Sequence, residues 1–319
     1  MRDIKYDIAR SLAMIWIVGV YHLSEYINQP LHEQQWARVI TWGCLGTFTF
    51  ISAYFLTGKN ELKRKDQILT FYKKRVKRFY PLFVLSALTM LLIGFNTPEQ
   101  TWKGLLGIST FCAPQINTLW YISMLMTFYL LTPFLQQGSL VHKLFKYITI
   151  ITIVILFKII FHTGVDNRFF YYFTVYMIGV ICARHASSML EHNLYSSRWL
   201  QICGWLIYIT CITIIMIKPD MPILMMIAGI ISIYLLLTLS KQITKFPKLN
   251  RLTQFFSYGS MAAYLFHRQI YYIGLSIPGM QGANSHTLLY LIFIVLPIIF
   301  IISYYIQLYY DRLMTSKHD

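Results

Sequence analysis

"RSLAMIWIVGVYHLSEY", residues 10–26, decides the fold. It opens on a cation and then runs through mostly apolar residues. Taken as 7–27, the segment has the length of a membrane crossing, about 20 residues. It also carries His22 and Glu25, where a plain anchor would carry leucine. Polar groups at membrane depth are costly, so they face a protein interior or a water-filled cavity. His22 lies about 15 residues past the inner boundary, about 22 Å up a helix rising 1.5 Å per residue, in the outer half of the membrane.

The rest of the chain agrees. Its 319 residues are 56% hydrophobic and 17% aromatic but only 13% charged, about half the charge a soluble domain carries. Apolar runs tile the chain almost end to end, so one membrane domain over 1–319 is expected, with no sizeable soluble part. Ten spans are expected, at 7–27, 38–57, 79–96, 118–136, 144–163, 168–184, 198–217, 221–240, 257–276 and 286–309. The Pro/Gly-broken stretch 102–114 reads as a surface or re-entrant piece. The first span is too long for a signal peptide, holds Glu25 and has no small-x-small cleavage site before Pro30; it is expected to be retained. The expected fold class is all-α, a polytopic transmembrane helix bundle.

The net charge of +16 does not point to nucleic acid, because the basic residues sit in short loops. With the N-terminus in the cytoplasm, 22 of the 28 Lys/Arg fall on the inner side and 5 on the outer, leaving Arg268 inside a span. That is the positive-inside asymmetry, and it puts both termini in the cytoplasm. The five cysteines (Cys44, Cys112, Cys182, Cys203, Cys211) show no CxxC pairing pattern and read as small apolar packing residues. No metal-ligand set is read.

Three clusters carry candidate chemistry. The first holds Asp7, Arg10, His22 and Glu25. Glu25 at i+3 from His22 shares its helix face and is placed to orient the imidazole as a base; equally, His22 could serve as hydrogen-bonding glue between helices. The second is "FYKKRVKRFYPLF", residues 71–83. Lys73, Lys74, Arg75, Lys77 and Arg78 stand at the inner mouth of span three, with Pro81 expected in its first turn. Such cations bind anionic lipid and set topology, or, with Arg75 and Arg78 three apart on one face, grip a phosphate bidentately. The third is "SMAAYLFHRQIYY", residues 260–272, with Ser260, Tyr264, His267 and Arg268 in span nine. A mid-membrane arginine costs at least about 2.5 kcal/mol on insertion scales, which filler does not explain.

Two further stretches, "GTFTFISAYFLTG" (46–58) and "NTLWYISMLMTFYLLTPFL" (117–135), read alone as close helix packing and an interfacial aromatic belt. Taken in order with "YDIARSLAMIWIVGVYH", "FYKKRVKRFYPLF", "YMIGVICAR" and "SMAAYLFHRQIY", however, they resemble the motifs of integral-membrane acyltransferase family 3. The resemblance covers most of the chain. It rests on an opening Arg…His helix, a Phe/Ser-Gly-Phe motif with Ala53 in place of glycine, and Arg-x-x-Arg at Arg75 and Arg78. A Leu-Trp-[Phe/Tyr] helix, a Gly-containing sixth helix and a Ser-x-x-x-Tyr-Leu-x-His motif complete it. The chain departs from the family pattern twice. The Trp helix lacks the acid many members carry, and Arg10 and His22 stand 12 apart rather than 11. Eleven steps of about 100° return to within about 20° of one face, whereas twelve end about 120° away. Either a π-bulge near Gly19 absorbs the extra residue, or the pair does not act together.

The resemblance implies an O-acyltransferase of the inner (plasma) membrane. It would move an acyl group, acetyl by the family's usual donor, from cytoplasmic acyl-CoA to a hydroxyl of a cell-surface or lipid-linked glycan. Acetyl-CoA or another acyl-CoA is then a donor substrate, not a resident cofactor; the other partners are the glycan acceptor and membrane lipid. His22 would be the general base and Glu25 would hold its ring. Arg268 or His267 would stabilise the oxyanion, and Arg10, Arg75 and Arg78 would hold the donor. The main rival is a polysaccharide or small-molecule transporter, whose substrate path would also need intramembrane His and Arg; paired halves with broken helices, common there, are not evident. A glycosyltransferase would commonly present an acidic pair for a metal-bound donor.

Overall fold

The computed structural model describes residues 3–29, 31–58, 61–162, 164–185, 195–280 and 285–315. Arg2, Lys59 and Lys317, three of the expected inner-side cations, lie outside them. All regular structure in the described residues is helical. The chain begins with α1 (Ile4–Trp16), a π-turn (Ile17–His22) and a 3-10 segment (Leu23–Ile27). Then follow α2 (Gln35–Thr57), α3 (Lys65–Leu92), α4 (Pro98–Leu105), α5 (Trp120–Leu135), α6 (Leu140–Phe161) and α7 (Arg168–His185). The last part holds α8 (Arg198–Ile217), α9 (Pro222–Ile243), α10 (Pro247–Leu275), α11 (Ser285–Tyr290), a second π-turn (Leu291–Val295) and α12 (Leu296–Thr315).

The ten expected spans all fall mainly in helix. Among the described residues, five stretches are long and apolar enough to cross a membrane by length and composition: α2, α6, α8, α9 and the continuous run Ser285–Thr315. In α6 the apolar side chains point outward, with Ile148, Ile153, Leu156, Ile159 and Phe161 exposed. Only lipid or another apolar surface is a fitting neighbour for such a helix. The 102–114 stretch does not span: α4 ends at Leu105 and turns follow. One expectation needs correction. Pro81 is not in a first turn, because α3 starts at Lys65 and carries Pro81 inside it. The Lys/Arg run is therefore part of the helix itself, whose start Gln67 caps by accepting from the Arg64 N–H at 3.3 Å.

The helices gather into two compact units, Met1–Phe48 with Ser188–Asp319, and Thr49–Ser187. In the first, α10 packs along both α1 and α12. The approach to α12 is close enough to require glycine: a Cβ on Gly259 would meet the Tyr304 nitrogen at 3.0 Å. Beside them Val39, Tyr208, Cys211, Ile215, Met225, Ala228 and Leu235 form an apolar cluster. In the second unit, α2 and α7 touch through small residues. A Cβ on Gly179 would lie 2.7 Å from the Ala53 Cβ and 2.8 Å from the Phe50 carbonyl. Alanine at position 53 is thus matched by glycine at 179, the small-against-small contact that lets membrane helices approach.

Candidate active site

The first span does not stay α-helical. After Trp16 it opens into the π-turn, which contains Gly19 and ends at His22. From Arg10 to Ile17 the helix advances about 100° per residue; through the π-turn it advances about 80°. Over twelve residues this brings His22 back to within about 30° of the Arg10 azimuth, where an unbroken α-helix would leave it about 120° away. The extra residue is absorbed where the sequence allowed for it. Arg10 nonetheless lies about 18 Å down the helix from His22 and does not share its immediate surroundings.

His22 meets His267. The His22 Nδ1 to His267 Nε2 distance is 2.7 Å, and the ring planes differ by 3° with centroids 4.8 Å apart. A face-to-face stack would hold ring atoms about 3.5 Å apart, so the two imidazoles lie edge to edge in one plane and share a proton position. The direction of that bond follows from the main chain. His267 Nδ1 faces two carbonyls of its own helix, Tyr264 O at 2.8 Å and Ala263 O at 3.0 Å. Carbonyls only accept, so Nδ1 carries the proton and Nε2 of the neutral ring is an acceptor. His22 Nδ1 must then donate, and its Nε2 keeps a free lone pair. His267 is fully buried, whereas His22 is partly exposed. The anchored ring is inside and the ring with the open nitrogen reaches outward.

Glu25 does not hold the His22 ring. Its carboxylate forms a bidentate pair with Arg268, at 2.7 and 2.9 Å. The reason is local geometry. From Leu23 the chain is 3-10, rising about 2 Å per residue with i and i+3 eclipsed. Glu25 keeps the face of His22 but moves about 6 Å along it, past the imidazole to the level of Arg268. Tyr26 completes the arrangement, with its hydroxyl 3.4 Å from Arg268 Nη1. Arg268, only 5% exposed, is thus engaged by a carboxylate instead of standing open to an oxyanion. Two neighbours escaped the sequence reading, Tyr26 and Tyr271. The available signal was spacing: Tyr271 is four residues after His267 and three after Arg268, on one helix face.

Lower in the same unit, Ser257 donates to Asp7 Oδ1 at 2.9 Å and Ser11 donates to Thr253 O at 2.6 Å, a polar seam between α1 and α10. Ser260 donates to Ser257 O in its own helix. Arg75 and Arg78 lie in the second unit, three apart on α3 as expected, but they differ. Arg78 is exposed. Arg75 is half-buried, 5.8 Å from the Phe71 ring centroid, and its Nε is buried with no hydrogen-bond acceptor among the described residues. No group of three or more potential metal ligands occurs among the described residues.

Compared with known families, residues 3–308 match the family model described as "Acyltransferase domain", acyltransferase family 3. No curated protein and no solved structure matches the chain.

Proposed function

The chain belongs to acyltransferase family 3 and is a helical membrane protein, and from that premise we propose that it carries an acyl group, acetyl by preference, from acyl-CoA to a glycan hydroxyl. Donor and acceptor are held on opposite sides of the inner (plasma) membrane, with both termini cytoplasmic, as the loop charges favour. One observation carries the reading. The bond order Tyr264/Ala263 carbonyl, His267, His22 supports it, because it favours the tautomer in which His22 Nε2 carries a lone pair.

The step balances as follows. His22 Nε2 takes the proton of the acceptor hydroxyl as its oxygen attacks the thioester carbonyl. The tetrahedral intermediate collapses with cleavage of the C–S bond, and the imidazolium returns the proton to the departing thiolate. Proton removal by a placed base is worth about 10²- to 10⁴-fold. His267 sets the ring's tautomer and plane, the part a carboxylate plays in other base–orienter pairs. The Glu25–Arg268 pair braces the 3-10 segment against α10. Arg75 receives a phosphate of the CoA end, since guanidinium binds phosphate bidentately and its Nε is buried beside Phe71; the exposed Arg78 adds attraction, and Arg10 adds positive charge low on α1.

The test is acyl transfer by purified protein in liposomes, with acetyl-CoA inside and a polysaccharide or lipid-linked sugar outside. His22→Ala at equal abundance should lose at least about 100-fold in rate. Full activity in that variant would remove His22 from the chemistry. Export of the glycan without consumption of acetyl-CoA would make the protein a transporter.

A further inference from the structure

The π-turn that carries His22 is tied to α10 by a buried side-chain hydrogen bond. In a π-turn each N–H reaches the carbonyl five residues back, so a continued turn would bring Leu23 N–H to Val18 O. Leu23 N–H instead closes on Val20 O, where the ladder tightens from π to 3-10. The Val18 carbonyl lies just before that junction, and a carbonyl oxygen has a second lone pair to offer beyond any main-chain bond. Tyr271 of α10 donates to it. Its hydroxyl lies 3.0 Å from Val18 O, and both residues are fully buried.

The packing makes the contact one-sided. Away from α10, the turn borders a cavity of about 250 Å³ lined by Gly19, Val20, Leu23, Ser24, Leu288 and Ile292. On the α10 side Tyr271 also meets two rings of the site. Its ring stands at 90° to His267 with centroids 6.4 Å apart, and lies 4.9 Å from Tyr26, the residue beside Arg268. The same helix face thus presents the ring that orients His22 and the hydroxyl that holds the turn bearing it.

We propose that Tyr271 is a positioning residue: its hydroxyl fixes the π-to-3-10 junction and so sets the direction in which His22 Nε2 points. The proposal rests on the reading of His22 as the base. Tyr271→Phe keeps the ring and removes only the hydroxyl. Two measurements on the full-length protein in detergent test it. Hydrogen–deuterium exchange of the peptide covering residues 17–22 should become several-fold faster than in wild type. In the transfer assay kcat should fall roughly tenfold, with KM for acetyl-CoA within about twofold, because the loss is one of aim and not of donor binding. Unchanged exchange, unchanged kcat, or a rise in KM as large as the fall in kcat would overturn it. If wild-type protein transfers no acyl group, the base reading and the positioning role fall together, while faster exchange in the variant would still mark the hydroxyl as the brace of the turn.

Discussion

Helices α10 and α3 both carry cations into or against apolar surroundings, and they do so in opposite ways. On α10, Arg268 is buried and gripped by both oxygens of Glu25, and the neighbouring His267 spends both nitrogens on fixed partners. On α3, Lys73, Lys74 and Arg78 are exposed, Lys77 and Arg75 are half-buried, and Arg75 has a buried Nε. The difference is what solvation demands. An ion withdrawn from water survives in a fold only when paired and hydrogen-bonded, whereas one at a rim is solvated and screened. The α10 charge is therefore committed to one geometry, while the exposed Lys73, Lys74 and Arg78 on α3 face solvent.

The comparison breaks most readily at Glu25. Removing Glu25 leaves the buried Arg268 uncompensated, at up to about 3–5 kcal/mol, and removing Arg268 costs less because Glu25 is partly exposed. Glu25→Ala or Arg268→Ala should therefore lower the thermal midpoint in detergent substantially, and the joint change Glu25→Leu with Arg268→Met should recover most of that loss. Equal midpoints for single and joint variants would show that the pair is not committed. A smaller effect is expected at Arg75, where exchange for glutamine should raise the KM for acyl-CoA roughly tenfold, the scale of one charge-assisted hydrogen bond. Arg78→Gln should raise it by less than about threefold, as exposed charges contribute 0–1 kcal/mol. Identical effects at the two arginines would erase the distinction between inward and outward cations. The smallest effect belongs to Lys73→Gln with Lys74→Gln, which should change the stability by less than about 0.5 kcal/mol.

Much of this was legible in the residues. Hydropathy located the helices because a crossing segment must be apolar for about 20 residues. The count of 12 between Arg10 and His22 pointed to a bulge near Gly19, since an unbroken helix would splay the two. Reading i+3 on an ideal helix, however, put Glu25 against His22. The 3-10 rise, which no single residue announces, carries it on to Arg268. The edge-to-edge pairing of His22 with His267 joins residues 245 apart, and no local pattern encodes such a match. Pro81 misled in the other direction: it reads as a helix start, but α3 carries it inside while the cations before it extend the helix toward Lys65. Tyr271 gives no signal of this role in the sequence because a tyrosine in an aromatic-rich span looks like packing until its hydroxyl is seen on the Val18 carbonyl.

The central claim is that His22 presents an unprotonated Nε2 because His267 accepts the proton on its Nδ1. Nitrogen-15 spectra of protein labelled in histidine, recorded at about pH 8, above the usual imidazole range, read this directly once His22 is assigned by loss of its signals in His22→Ala. The account predicts a protonated Nδ1 and a bare Nε2 on both rings. A His22 ring protonated at Nε2, with Nδ1 bare, would contradict it.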